Sequence, residues 1–148
     1  MSDQSIRVVI VDDHRLFAES IALTLETDPR IEVVGFAQDG VEAVDLARRY
    51  RPDIVLMDLQ MPRLDGVEAT RRIRRLFPEM KVVAMSGAAS GDVVERAYEA
   101  GAVCFVSKDR AVAELSEAIR RTAAAGKPLG LRLLRSASLR TLELRPTG

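Results

Sequence analysis

Five polar residues stand where short apolar runs stop. Asp12 and Asp13 follow Ile6–Val11, Asp58 follows Asp53–Met57, Ser86 follows Lys81–Met85, and Lys108 lies just past Val103–Val106. Brought together, three carboxylates, a hydroxyl and an ammonium would form an acidic pocket with one cation over it. Clustered carboxylates raise one another's pKa unless a cation neutralises them. An oxygen-only donor set without His or Cys favours Mg2+, which commonly takes one or two carboxylates together with phosphate oxygens. Such a pocket suits phosphoryl transfer, with one carboxylate as nucleophile and a metal and a lysine against the phosphoryl oxygens. Each residue also has a plainer use: Asp13 as a helix N-cap, Ser86 as a turn residue, Lys108 as a solvated charge. Their joint placement on four of five run ends is what argues for chemistry.

The elements that must position them are legible in the hydropathy pattern. The runs Ile6–Val11, Ile31–Phe36, Asp53–Met57, Lys81–Met85 and Val103–Val106 are short and rich in β-branched residues. Three are nearly continuous, as expected of parallel strands covered on both faces. Between them lie amphipathic stretches: His14–Glu26 with Phe17, Ile21 and Leu25; Gly40–Arg49 with Val41, Val44 and Ala47; Gly66–Phe77 with Val67, Ala69, Ile73 and Phe77; then Asp92–Ala100 and Ala111–Ala125. Asp39-Gly40 and Asp65-Gly66 punctuate the strand-to-helix turns, and Pro52 and Pro78 mark helix exits. Five βα units in succession predict an α/β doubly wound parallel sheet with right-handed crossovers. Ligands of such sheets sit outside the carboxyl ends of the strands, where the five polar residues fall.

Composition limits the alternatives. The 148 residues include 22 Lys+Arg and 22 Asp+Glu, so the formal net charge is zero and gives no overall drive toward nucleic acid or membrane. No apolar run approaches the ~18 residues of a membrane span, and no secretory leader is legible. The single cysteine, Cys104, fits a reducing cytosol, and with the single histidine, His14, it supplies too few ligands for a structural zinc. The zero charge is a sum of unlike parts: residues 127–148 carry five basic side chains and only Glu143 as an acid. The remaining chain is net acidic, so a boundary is drawn near Gly126, with a domain at 1–126 and a basic Leu/Arg-rich tail at 127–148.

Val11-Asp12-Asp13-His14, the run Met57-Asp58-Leu59-Gln60-Met61-Pro62-Arg63-Leu64-Asp65-Gly66, Met85-Ser86-Gly87 and the stretch Gly101–Lys108 resemble the receiver domain of two-component response regulators. The similarity covers roughly residues 6–122. The Asp-Asp-His opening, Val33-Val34-Gly35 and Lys108-Asp109 are similar to the NarL/FixJ (LuxR-type) branch. The resemblance implies a flavodoxin-like (βα)5 fold with strand order 2-1-3-4-5. It implies that Asp58 accepts a phosphoryl group from a sensor histidine kinase or a histidine phosphotransfer protein. Asp12, Asp13, Asp58 and the backbone carbonyl of Gln60 would hold Mg2+, Lys108 would pair with phosphoryl oxygens, and Ser86 would bond one of them. Phe105 would be the aromatic switch, rotating inward as Ser86 moves; its plain reading is a core aromatic. The change would reach the face of the fourth helix, fifth strand and fifth helix, with Gly87, Ser90 and Gly91 keeping the intervening loop compliant. Homodimerisation on phosphorylation is a further family expectation. The chain reads as a cytoplasmic signalling protein rather than an enzyme, although receivers can catalyse their own phosphorylation and dephosphorylation.

Other features carry less. His14 is a helix-start polar residue. Arg71, Arg72, Arg74 and Arg75 read as the solvated face of the third helix, and Cys104 as a small buried apolar residue. The branch normally continues into a helix-turn-helix domain, but none is legible in the last 22 residues. Leu129–Leu134 and Leu139–Arg145 permit either a hairpin or a helix, as a packed tail or a linker remnant. Two classes of function follow: a receiver acting through protein contacts, or the regulatory half of a transcription factor whose DNA-binding half is missing. Direct nucleic-acid binding by this chain alone is not expected. The resemblance ties phosphoryl lifetime to Gln60 and Ala88, and alanine cannot orient an attacking water. The acyl phosphate of the purified protein should therefore decay slowly to moderately in a phosphate-release assay; a half-life of seconds contradicts this.

Overall fold

The five apolar runs form five parallel strands: β1 (Ile6–Val11), β2 (Ile31–Ala37), β3 (Ile54–Asp58), β4 (Lys81–Ser86) and β5 (Cys104–Ser107). The computed structural model describes residues 5–61, 63–87 and 91–125. Helices α1 (Arg15–Leu25), α2 (Gly40–Tyr50), α3 (Gly66–Leu76) and α4 (Gly91–Ala100) separate the strands, and a single 3-10 turn at Lys108–Arg110 leads into α5 (Ala111–Ala124). The strand order is β2-β1-β3-β4-β5, the expected flavodoxin-like arrangement.

Strand periodicity divides the core between the two faces. Val9, Val11, Val55, Met57, Val82, Ala84 and Phe105 pack with α2, α3 and α4, while Val8, Ile10, Leu56, Val83, Met85 and Val106 pack with α1 and α5. The central strands β3 and β4 are buried along their whole lengths, which explains why they read as continuous apolar runs. Edge strand β2 carries a register shift, with Val8 opposite Val33 but Val9 opposite Gly35. A bulge of this kind suits an edge, where pairing ends.

The helix starts follow their predicted signals. Asp39 accepts a hydrogen bond from the Glu42 N–H and Asp65 one from the Glu68 N–H, both at 2.9 Å, so each caps the helix that its Asp-Gly pair announced. Before Pro52, α2 closes on Arg51 in the left-handed region at φ 46°, with its N–H bonded to the Ala47 carbonyl. The inward face of α2 differs from the expected Val41, Val44 and Ala47. Ala43, Leu46 and Ala47 are buried, Val44 packs partly against the core, and Val41 is exposed. The cause lies at the helix start. The Gly40 N–H donates to the Leu64 carbonyl at 3.1 Å, and a Cβ on Gly40 would meet the Leu64 Cβ at 2.8 Å. Gly40 thus faces inward, and Ala43, Leu46 and Ala47 share its face at helical spacing.

Arg74 also departs from expectation. Arg71 and Arg72 do lie on the solvated face of α3, paired with Glu68. Arg74 is half-buried, with Nε bonded to the Gly101 carbonyl at 3.1 Å and Nη1 to the Pro78 and Met80 carbonyls at 2.5 and 2.6 Å. One guanidinium thus satisfies three loop carbonyls between α3 and β4 and between α4 and β5. A positional count cannot separate Arg74 from its neighbours, because the difference arises where the chain turns back just past α3 and where the loop at Gly101 comes alongside. Arg74→Ala should cost about 2 kcal/mol in urea unfolding with an unchanged m-value, the scale of hydrogen bonds to a charged donor. Arg71→Ala should stay within about 0.5 kcal/mol, as for an exposed ion pair.

Candidate functional site

The carboxyl ends of β1, β3 and β4 and the turn after β5 meet at one edge of the sheet. Asp12 and Asp58 are each 2% exposed, Ser86 is fully buried and Asp13 is exposed. Asp12, Asp13 and Asp58 each present a carboxylate oxygen within 4.8 Å of the others. Lys108 opens the 3-10 turn and sends its ammonium back into the cluster, 2.8 Å from Asp12 Oδ2 and 3.3 Å from Asp58 Oδ2.

Local backbone geometry sets these positions. Asp12 Oδ1 accepts the His14 N–H at 2.8 Å, an Asx turn that carries the chain from β1 into α1 while Oδ2 faces Lys108. The N-cap of α1 is therefore His14, whose side chain makes no capping bond, and the capping use of Asp13 is not realised. Asp58 Oδ1 accepts the Gln60 N–H at 3.2 Å, and the Leu59 N–H bonds the Met85 carbonyl at 2.9 Å, tying the loop after β3 to β4. Gly66 packs directly on that loop. A Cβ there would collide with the Asp58 carbonyl oxygen and come within 2.6 Å of the Leu59 Cα. In the sequence Gly66 is turn punctuation, whereas its contact with the Asp58 backbone exists only once α3 folds over the loop.

Ser86 Oγ lies 3.4 Å from Gln60 Oε1, so both residues border the acidic cluster. Phe105 is 1% exposed and packs in the layer beneath α2, α3 and α4, so in this structure its ring is core. The Lys108–Asp109 peptide is trans, as Asp109 in place of proline leads one to expect. Ala88 and Ser90 lie outside the described residues, as do Pro62 and the tail at 127–148. Phe17 was read only as part of the α1 core stripe. It is half-buried, and its ring centroid lies 4.7 Å from Lys108 Nζ.

The electrostatics follow from crowding. Burial, and then the charge of Asp12, push the Asp58 carboxyl up to about 6, against partial relief from the Gln60 N–H and Lys108. Burial alone would depress Lys108, but its hydrogen bond to Asp12 and the charges of Asp58 and Asp12 outweigh this and hold the ammonium above its ordinary value. Three carboxylates against one ammonium leave the cluster short of positive charge. The all-oxygen donor set suits a hard divalent cation of the Mg2+ kind. The geometry can therefore place a cation within reach of three carboxylates, with the Lys108 ammonium against Asp12 and Asp58.

A five-stranded parallel sheet with an acidic cluster at its carboxyl edge defines a receiver-type signalling module. The chain belongs to the response regulator receiver domain family, whose model matches residues 8–120. Its relatives lie in the NarL/LuxR branch. It is 42% identical over 123 residues to the transcriptional regulatory protein LiaR of Bacillus subtilis, covering 83% of this chain and 58% of LiaR. To the transcriptional regulatory protein DegU of Brevibacillus brevis it is 36% identical over 126 residues, covering 85% of this chain and 53% of DegU. The chain thus spans little more than half the length of these curated relatives. A two-component response regulator of the LuxR family from an Aurantimonas species superposes with a TM-score of 0.79 at 32% identity, over 90% of this chain and 97% of that one. The response regulator domain of Thermotoga maritima CheB gives 0.78 at 31%, over 83% of this chain and 99% of that one. No helix among the described residues is long and apolar enough to cross a membrane.

The raised Asp58 value has a stability consequence. A carboxyl that holds its proton more tightly folded than unfolded contributes stability present below its unfolded value of 3.8 and lost as pH rises through about 6. Without divalent cations near neutral pH, Asp58→Asn should therefore stabilise the domain by about 1–3 kcal/mol, raising its Tm by several degrees. The gain should shrink toward about pH 4, where the wild-type carboxyl is protonated. Thermal unfolding in a chelator at both pH values checks the sign.

Proposed function

We propose that Asp58 is the phosphoacceptor and that the donor is the phosphohistidine of a sensor histidine kinase or a histidine phosphotransfer protein. The observation that carries this is a buried carboxylate with the Lys108 ammonium 3.3 Å away and two further carboxylates within 4.8 Å. An ionised Asp58 oxygen attacks phosphorus, the P–N bond to the donor imidazole breaks, and the imidazole leaves as a neutral ring after taking a proton. An acyl phosphate results. With an Asp58 value of about 6, the carboxylate form is available at neutral pH. Lys108 is close enough to follow Asp58 and pair with the new phosphoryl oxygens, and the Ser86 hydroxyl can turn from Gln60 to donate to one of them. Asp12, Asp13, Asp58 and the Gln60 backbone carbonyl would hold Mg2+, which when bound neutralises charge on the reacting oxygens.

Phosphorylation places about −1.5 to −2 charge in a pocket already rich in carboxylates. Ser86 is the last residue of β4 and Phe105 lies within β5, so a shift of Ser86 toward the phosphoryl group would be felt across the α4, β5 and α5 face. A partner or a second copy reading that face would receive the signal, in the cytoplasm where such kinases present their phosphohistidine. In this reading residues 1–126 are the receiver and 127–148 a basic tail, and Gln60 with Ala88 sets phosphoryl lifetime. A second reading has specific support. Relatives that this chain spans only in part, LiaR and DegU, are named as transcriptional regulatory proteins. The chain would then be the regulatory half of a DNA-binding regulator, and the length of the complete gene separates the two.

Incubation with acetyl phosphate and Mg2+ should add the mass of one phosphoryl group to the intact protein. Asp58→Asn should abolish the addition, and chelation should suppress it. A variant lacking Asp58 that still labels would overturn the assignment.

A further inference from the structure

The Lys108 ammonium has a third neighbour. Phe17, in the first turn of α1, packs against the core layer of α1 and α5 and sets its ring 4.7 Å from Nζ, while the lysine side chain is only 19% exposed. A cation within ~6 Å of an aromatic centroid is drawn to the negative face of the ring, and more strongly when desolvated. The other cation–ring contacts among the described residues involve Tyr50 at the end of α2 and Phe77 just past α3, not the acidic cluster.

We infer that Phe17 is a positioning residue for phosphoryl transfer, its ring holding the Lys108 ammonium over the pocket whatever the state of the carboxylates. This rests on the reading of Asp58 as acceptor. The two carboxylates that now hold Lys108 are the groups that a bound cation and an incoming phosphoryl group would claim. When Asp12 turns to a metal and Asp58 becomes an acyl phosphate, the present partners of Lys108 at 2.8 and 3.3 Å are withdrawn or altered. A lysine on a flexible four-carbon stem is then able to swing out to water. The ring neither ligates a hard cation nor reacts, so its attraction persists through both changes and keeps the ammonium where phosphoryl oxygens arrive. It also shields one side of the ammonium from water, which strengthens the charge interactions that remain.

The test uses the full chain with Phe17→Leu, Phe17→Trp and a shape-conserving series of mono-, di- and pentafluorinated phenylalanine at position 17. In metal-free wild type, the ring current should move the Lys108 ε-methylene protons upfield, and Phe17→Leu should abolish that shift. The initial rate of acetyl phosphate labelling should fall about ten-fold in Phe17→Leu, fall stepwise with fluorination at unchanged Tm, and be retained in Phe17→Trp. A residue acting only through packing would leave the fluorinated series flat. A labelled wild type with a flat fluorine series, or with unshifted Lys108 protons, overturns the role of the ring. A wild type that takes no label overturns the acceptor reading, and with it the role given to the ring.

Discussion

The ammonium of Lys108 lies between two buried carboxylates, and the geometry around it is a response to what those carboxylates would otherwise do. Asp12 and Asp58 are both almost without solvent, and Asp13 adds a third negative group within reach. In a poorly hydrated pocket, like charges at this separation repel strongly, and a buried carboxylate without a partner tends to take up a proton. Lys108 removes part of that cost, and Asp58 retains the rest as a pKa near 6. The cluster is left short of positive charge, which would favour a further cation.

Holding this arrangement depends on backbone contacts that contribute no charge. Gly66 lets α3 sit directly on the peptide after Asp58, and Asp65 caps that helix from the preceding residue. Gly40 lets α2 close against Leu64, in the same loop that leads from Asp58 toward α3. The Asp-Gly pairs therefore act twice, once as caps and once as close-approach points. At the opposite end of the sheet, Arg74 binds carbonyls of two loops, and the buried Lys81 donates to the Thr122 carbonyl at 2.8 Å, anchoring α5.

Much of this was legible beforehand because parallel sheets write themselves plainly. Fully buried strands such as Ile54–Asp58 and Lys81–Ser86 are continuous apolar runs, so the polar residues that end them stand out. Placement at the ends of parallel runs made the grouping of Asp12, Asp13, Asp58, Ser86 and Lys108 an expectation, and the five do border one edge. Two expectations miss. The valine spacing of α2 points to Val41 and Val44, whereas Gly40, Ala43, Leu46 and Ala47 form the buried face. Arg74 resembles its neighbours in the sequence, yet its guanidinium binds the Gly101, Pro78 and Met80 carbonyls. Phe17 does pack on the core as its spacing implies, and only the fold sets its ring beside Lys108.

The amino-acid sequence by itself determined the order of elements, the caps, the parallel topology and the identity of the acidic residues. These depend on local backbone preference and on the spacing of apolar side chains. Only the tertiary structure decided which oxygen of Asp12 turns the backbone and which meets Lys108, that Asp12 and Asp58 are buried while Asp13 is exposed, and that an α1 phenylalanine lies beside the lysine. Those outcomes depend on distances of a few ångströms between segments about fifty to a hundred residues apart, set by how helices settle on the sheet.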